Sequence, residues 1–522
     1  MKQRITYVVE DPEAFAPDHL HVQDDQVKGP TFSLKNVQAA KEHRVTLGLD
    51  ELPIELSTLF RQWHEIHIRW SSPTVSAAQP PFTSRVSPGL HVFYTPLANT
   101  GEDELCHQLH EHISADLRCV SMTNASIKIP TLSERFSMSA SSQYYAYLDS
   151  IFESIVSSQT RFCKPKKGLC RLLGQQLSTA TYVDVDYDTI TRAVVLTAVW
   201  SKAQNPDGWS EVIELPTADS TVEIGVLSHE PNSDPEDVQF GGFLTVLGQD
   251  TAPKPTRFQS PTRHYPLLRS SESSTETPQL LPLTFAASFS HPTGLHPTLV
   301  LSFPQQHLVA PNPSCKLHAH LTLPSYLFID RYQFNDALFL EAKNLKSLRS
   351  LAGATDLEAP DWVIDQWGSA ALFELSHPRE LEQSTKVPLW NVSIPLHLRY
   401  LPATNTSHTR MPVPWPVVFW ACRSDEGAKM ASNPFDRVHL GYETLFGPKT
   451  RFMHVNAGPI GNGTGQLVEW INVPVLNTQK TGWVEIGTVG TVVIAFLGLC
   501  WVLLSKNRHA KGATPRQEKK KN

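Results

Sequence analysis

The sequence predicts an α+β N-terminal domain, an antiparallel β-sandwich-like C-terminal domain and, after them, one C-terminal transmembrane helix. Three observations lead there. The 522 residues include 40 prolines, above the roughly 5% usual in globular chains, and prolines break long helices but sit well between short strands. From residue 283 onward, short runs of alternating apolar residues recur between prolines, the pattern of a half-buried antiparallel sheet. Ile486–Ser505 reads IGTVGTVVIAFLGLCWVLLS, without a charged residue.

Residues 1–247 form the predicted α+β domain. RITYVV (4–9) and HEIHIRW (64–70) carry the β-branched and aromatic residues of strands, and DELPIELSTLFRQW (50–63) between them reads as a short helix. In LCHQLHEHISADL (105–117), Leu105, Leu109, Ile113 and Leu117 recur at i, i+4 and predict an amphipathic helix. A second helix is predicted within SSQYYAYLDSIFESIVSSQ (141–159), and strands within ATYVDVDYDTITRAVVLTAVW (180–200) and STVEIGVLSHE (220–230). Asp184, Asp186 and Asp188 alternate along one of these strands, the pattern of a solvent-facing edge. Residues 248–282 are rich in Pro, Ser and Thr and read as a linker or mobile loop.

Residues 283–482 carry the strand runs LTFAASFS, LHPTLVLSF, CKLHAHLTLP, YLFIDRYQF, WNVSIPLHLRYLP and WPVVFWAC. In CKLHAHLTLP, Leu317, Ala319, Leu321 and Leu323 point one way and Lys316, His318, His320 and Thr322 the other. This predicts a strand with its polar face on water.

Residues 484–505 form the predicted span, since twenty apolar residues at 1.5 Å each cross roughly 30 Å of hydrocarbon. Trp483 and Trp501 lie near its ends, where indoles favour the interface. The tail 506–522 holds Lys506, Arg508, Lys511, Arg516, Lys519, Lys520 and Lys521 against Glu518, a net +6, which leaves −12 on the rest of a chain of net charge −6. The positive-inside rule places this tail in the cytosol and the large domain in a lumen or outside the cell. Lys519 and Lys520 have the spacing of a dilysine retrieval signal for the endoplasmic reticulum. The first twenty residues hold no apolar run of a secretory signal, so a tail-anchored protein with a cytosolic protein-binding domain is the rival topology. The acidic balance argues against nucleic-acid binding.

Of the seven cysteines, Cys500 lies in the span, and the other six allow up to three disulfides or free buried thiols. Cys163 and Cys170 flank KPKKGL and are candidates for closing a small loop. Sequons stand at Asn124, Asn391, Asn405 and Asn462. The cluster Cys106, His107, His110, His112 and Cys119 has zinc-ligand residue types, with Cys106 and His110 one helical turn apart. His107 and His112 fall on other faces, so ordinary helix is the reading. No GxGxxG, GxxxxGK[ST] or GxSxG occurs, and no catalytic, cofactor-binding or metal residue is nominated.

Several ordered motifs are similar to one family. They are Gly294-Leu295-His296-Pro297-Thr298, Cys315 with Leu323-Pro324-Ser325, Asp330-Arg331-Tyr332-Gln333, Pro395-Leu396-His397-Leu398-Arg399-Tyr400, and Trp415–Cys422, with LDELP (49–53) and HEIHIRW in the first half. The chain resembles the PIG-X family in its fungal, protease-B-nonderepressible form. The resemblance implies a non-catalytic accessory subunit of GPI mannosyltransferase I in the endoplasmic reticulum membrane. Such a subunit stabilises the multi-spanning PIG-M-type catalytic subunit, which adds the first mannose to the GPI precursor, and supports folding of other proteins of that compartment. No small-molecule substrate or cofactor of its own is implied. The resemblance also implies a lumenal large domain and a Cys315–Cys422 disulfide. The aromatic segment Trp415–Trp420 is expected either to dock on the partner's loops or to be core.

Overall fold

The computed structural model describes residues 1–510 except 10, 13–14, 26–28, 76–80, 83, 98–102, 133–140, 151–176, 217–219, 231–236, 267, 271–279, 305–307, 379–388, 424–438 and 459–464. An eleven-stranded sheet organises the first half. From one edge it runs Lys254–Pro261, Asp237–Val246, Thr221–Glu230, Lys2–Val9, Ala39–Gly48, Ala193–Trp200, Tyr182–Asp188, Trp63–Ser71, Gly89–Pro96, Ser142–Ala146 and Ile127–Lys128. Lys2–Val9 pairs parallel with Thr221–Glu230 and antiparallel with Ala39–Gly48. Helices Ile54–Phe60, Asp103–His112 and Met122–Ala125 and a three-stranded sheet, Trp209–Glu214, Gly29–Val37 and Leu20–Asp25, cover one face around Tyr7, Phe32, Leu34, Trp63 and Trp70.

Inside that core Lys41 is 1% exposed and reaches both Glu211 oxygens at 2.7 and 2.8 Å. Its ammonium lies 4.7 Å from the Trp209 ring and 5.3 Å from Trp200. Burial lowers its pKa, and the Glu211 carboxylate opposes that shift. Tyr7 also donates to Glu211.

The second half is built on a sheet ordered Leu345–Gly353, Gly368–Leu375, Lys316–Pro324, Val417–Arg423, Thr450–Ala457, Thr284–Phe289, Thr298–Pro304 and Leu389–Pro395. The antiparallel strand pair His408–Pro414 and Val468–Pro474 contributes Val413, Ile471 and Val473 to its core, with Leu317, Leu321, Leu323, Trp415 and Trp420. Gly368 has φ +147°, and a Cβ there would stand 2.0 Å from the Leu323 carbonyl oxygen, so only glycine fits this junction.

Four expectations are corrected. Residues 254–261, read as linker, form an edge strand paired with Asp237–Val246. Pro255 and Pro261 are tolerated there because an edge strand leaves one side of its backbone unpaired. Tyr182–Asp188 is an interior strand, so its aspartates are not a solvent edge. The register sets Asp184 opposite Arg69 and Asp186 opposite His67; the Arg69 pair holds Asp184 fully inside, while the Asp186 side chain stays 37% exposed at the rim. Ser142–Ala146, placed in a helix, is a strand; Tyr144 and Tyr145 fill both faces of the sheet there. The polar face of Lys316–Pro324 is not on water: His318, His320 and Thr322 are buried.

What buries them is the other half of the chain. The second sheet turns His318, His320, Phe419, Phe452 and His454 toward His67, Arg69, His91 and Phe93 of the first. Tyr442 lies between, stacked on Phe419 at 4.6 Å and donating to the Arg85 carbonyl at 3.1 Å. Trp367 donates its indole N–H to the Gln143 carbonyl at 2.9 Å and its amide to Ala125 at 2.8 Å. Backbone bonds Val75–Gly465 and Leu467–Pro73 close the far side.

Candidate functional site

The segments 294–298, 323–333 and 395–400 converge around Arg399. This side chain is 2% exposed, and its guanidinium donates to the carbonyls of Ser325 (3.1 Å), Ala359 (2.8 Å) and Ala354 (3.3 Å). It also stacks 4.5 Å over the Phe328 ring. A rigid planar fork with several donors can tie three backbone turns at once while its flat face stacks on an aromatic ring. Burial lowers the Arg399 pKa, opposed by Asp356 and Asp361.

Asp361 is fully buried and accepts from Ser325 Oγ at 2.5 Å and from Arg118 Nη1 at 2.6 Å. Arg118 adjoins Cys119, which is bonded to Cys106 at the start of the helix Asp103–His112. Two sequentially distant halves thus meet at one carboxylate. The strand pair Leu327–Phe328 and His397–Leu398 presents His397 beside Phe328, with His296 Nδ1 at 3.0 Å from His397 Nδ1 and Gln333 Nε2 at 3.3 Å from its Nε2. His397 is held below the ordinary histidine pKa by burial and by His296. Arg399, Asp361, Ser325 and His397 are thus engaged in tying these turns to one another.

The stalk adjoins this cluster. The Thr404 amide donates to Leu476 at 3.0 Å, Thr478 donates back to Thr404 at 2.8 Å, and Thr478 Oγ1 reaches Asn405 Oδ1 at 2.8 Å. A short 3-10 turn, Thr478–Lys480, then leads into the helix Thr481–Ala510. Thr478–Ser505 is long and apolar enough to cross a membrane, and none of it is buried against the rest of the protein. The Thr488 and Thr491 hydroxyls donate to the carbonyls of Val484 and Gly487 at 2.8 Å, which satisfies them within the helix.

Cys315 and Cys422 are joined in a disulfide between the sheet strands Lys316–Pro324 and Val417–Arg423, closing a separation of 107 residues. The Cys106–Cys119 disulfide falls in the cluster of zinc-ligand residue types, and bonding removes both thiols as ligands. His110 Nε2 lies 2.8 Å from the Leu117 carbonyl and clamps the same loop. The signal for this pair was its position at the two ends of one amphipathic stripe, but six open cysteines gave no means of choosing it. Asn124, Asn391 and Asn405 are exposed. Cys163, Cys170, Asn462, Lys519 and Lys520 lie outside the described residues. Trp415, Phe419 and Trp420 are at most 6% exposed, so of the two readings of the Trp415–Trp420 segment the core one holds: packing consumes both faces of that strand. Sequence reasoning missed Arg399 and Asp361 as the joint of the cluster, because their partners are backbone carbonyls and a distant arginine.

A family model described as PIG-X / PBN1 matches residues 292–504, which contain every segment of the Arg399 cluster, the Cys315–Cys422 pair and most of the apolar helix. Protein pbn1 of Emericella nidulans is 41% identical over 96% of this chain and 95% of its own length. Protein pbn1 of Aspergillus fumigatus is 39% identical over 96% and 94%. Protein PBN1 of Saccharomyces cerevisiae is 28% identical over 56% of this chain and 60% of its own. Near-complete coverage at such identity, with the family match placed on the second sheet and the stalk, means that this chain belongs to the PIG-X/PBN1 family.

Proposed function

We propose that the chain is a non-catalytic, single-pass subunit in the endoplasmic reticulum membrane, stabilising the multi-spanning PIG-M-type catalytic subunit of GPI mannosyltransferase I. In that role it supports addition of the first mannose to the GPI-anchor precursor and acts as a chaperone for other proteins of the compartment. The large domain is lumenal and bears glycans, and the basic tail is cytosolic, with Lys519 and Lys520 as the retrieval signal. The observation that carries this reading is family membership over nearly the whole chain together with a helix able to span a bilayer. The Cys106–Cys119 and Cys315–Cys422 disulfides support it, since such bonds persist in oxidising compartments. So does the acidic domain set against a basic tail.

The test is depletion of the chain in its own cells. The steady-state amount of the multi-spanning subunit should fall and the unmannosylated GPI precursor should accumulate. An unchanged amount of that subunit defeats the subunit reading. An endoglycosidase shift of the chain in sealed microsomes checks topology. No shift, with a protease-accessible N-terminal domain, favours the tail-anchored cytosolic alternative.

A further inference from the structure

The outward face of the Arg399 cluster is apolar and aromatic. Leu295 (38% exposed), Tyr332 (60%), Trp362 (59%), Val363 (59%) and Tyr400 (65%) all stand in solvent. The segments that bear them are tied to one another by the network beneath. The Leu398 amide donates to the Leu295 carbonyl at 3.0 Å, the Asp361 amide donates to the Tyr400 carbonyl at 3.0 Å, and Gln333, next to Tyr332, meets His397. Arg331 lies 5.0 Å over the Tyr332 ring and fixes its attitude. Isolated exposed apolar side chains are ordinary on protein surfaces, but a contiguous set on a rigid base marks a contact.

We infer that this face rests on the bilayer beside the helix, seating the large domain against the interfacial layer of the leaflet from which the helix emerges. The inference rests on the helix spanning that bilayer. Continuity with the stalk names the occupant. Tyr400 is joined to Thr404 by at most about 15 Å of extended chain, and Thr404 is hydrogen-bonded to Leu476 and Thr478. From Thr478 to the first residue of the uncharged run, Ile486, is about 12 Å of helix, with Trp483 between, itself 80% exposed. Leu476 of the stalk is also 51% exposed, extending the apolar face toward the helix.

The side-chain chemistry agrees. Tyr and Trp, with apolar bodies and polar tips, favour the headgroup boundary. The neighbouring charges are of both signs, Arg331 against Asp330, Glu358 and Asp365, so attraction to anionic lipid is not the source of binding. A neutral, zwitterionic leaflet is the matching surface. Rigidity of the Arg399 base means that little ordering entropy opposes the contact.

The full chain, reconstituted in phosphatidylcholine vesicles containing lipid brominated near the headgroup end of its acyl chains, tests this directly. Subtracting the emission of Trp362→Phe from that of the unaltered chain isolates Trp362 among the twelve tryptophans, and Trp483→Phe supplies the interfacial reference. The expected result is a roughly twofold loss of the Trp362 component, comparable with that of Trp483. A chain that resists alkaline carbonate extraction while its Trp362 component ignores the brominated lipid overturns the lipid contact alone. Release of the chain by carbonate overturns the span on which the inference rests. A Trp362 unquenched in vesicles but protected from aqueous iodide only in native membranes overturns it in favour of a protein partner. Both variants keep an aromatic ring at an exposed position, so folding is preserved.

Discussion

His91, His439, His318 and His320, packed between the two large sheets, are held neutral. His91 and His439 are pushed down to about 3, and His318 and His320 to about 4, in each case chiefly by burial. His43, beneath the small sheet, is pushed to about 3 by burial and then by the Lys41 ammonium. Their ordinary value is 6.5, so below it the unfolded chain binds protons that the folded chain refuses. Stability is therefore fully present above about pH 6.5 and falls as pH drops toward the folded-state values. Burial raises Glu65 and Glu443, which take up protons first in the folded state and offset part of the loss near the carboxylate range. The unfolding free energy of the detergent-solubilised chain, from urea titration, should drop between about pH 7 and about pH 5, by up to about 1.4 kcal/mol per pH unit for each such histidine. His318→Phe should reduce that slope. A second single-residue outcome concerns Lys41. Glu211→Gln leaves a buried ammonium without its counter-charge and should cost about 3–5 kcal/mol in the same unfolding assay, whereas combining it with Lys41→Met should restore much of that.

At the scale of elements, the strands Lys316–Pro324 and Val417–Arg423 are neighbours in the sheet and are also cross-linked at one end by Cys315–Cys422. Closing a loop of that length limits the unfolded chain, so the Cys315→Ser, Cys422→Ser pair should lose about 4–5 kcal/mol. Non-reducing against reducing electrophoresis should show a mobility difference in the unaltered chain that shrinks in the variant. Prolines had a double meaning here. They marked the short strands of the second half correctly, but in residues 254–261 they sit on a strand where the edge position alone makes them acceptable. Likewise the alternation in CKLHAHLTLP gave the two faces of that strand correctly, while its polar face met another sheet instead of water.

At the largest scale, the described residues outside the C-terminal helix are organised by two large sheets that face each other across a polar, aromatic layer. Trp367 belongs by chain position to the second half but fills the core of the first, and the Arg118–Asp361 ion pair joins the halves at a second place. Unfolding of the part outside the membrane should therefore be one cooperative transition by tryptophan emission and by circular dichroism. Trp367→Ala should lower its stability by about 3–5 kcal/mol, the usual range for a large core aromatic. It should also separate the two probes, because it frees one half from the other. Coincident transitions in that variant would show the halves to be coupled elsewhere.

The sequence by itself determined the apolar helix, the basic tail and the strand-rich second half, because each follows from local composition or from period-two alternation along a contiguous stretch. It also carried the family resemblance in segments whose common purpose stayed hidden. Only the tertiary structure decided that Asp184 and His318 are inside, that Cys106 bonds Cys119, and that residues near 295, 332, 362 and 400 share one surface beside the stalk. The physical reason is the same in each case. Burial of a polar residue, choice of a cysteine partner and assembly of a face all depend on which distant segment arrives opposite, and local pattern does not encode that arrival.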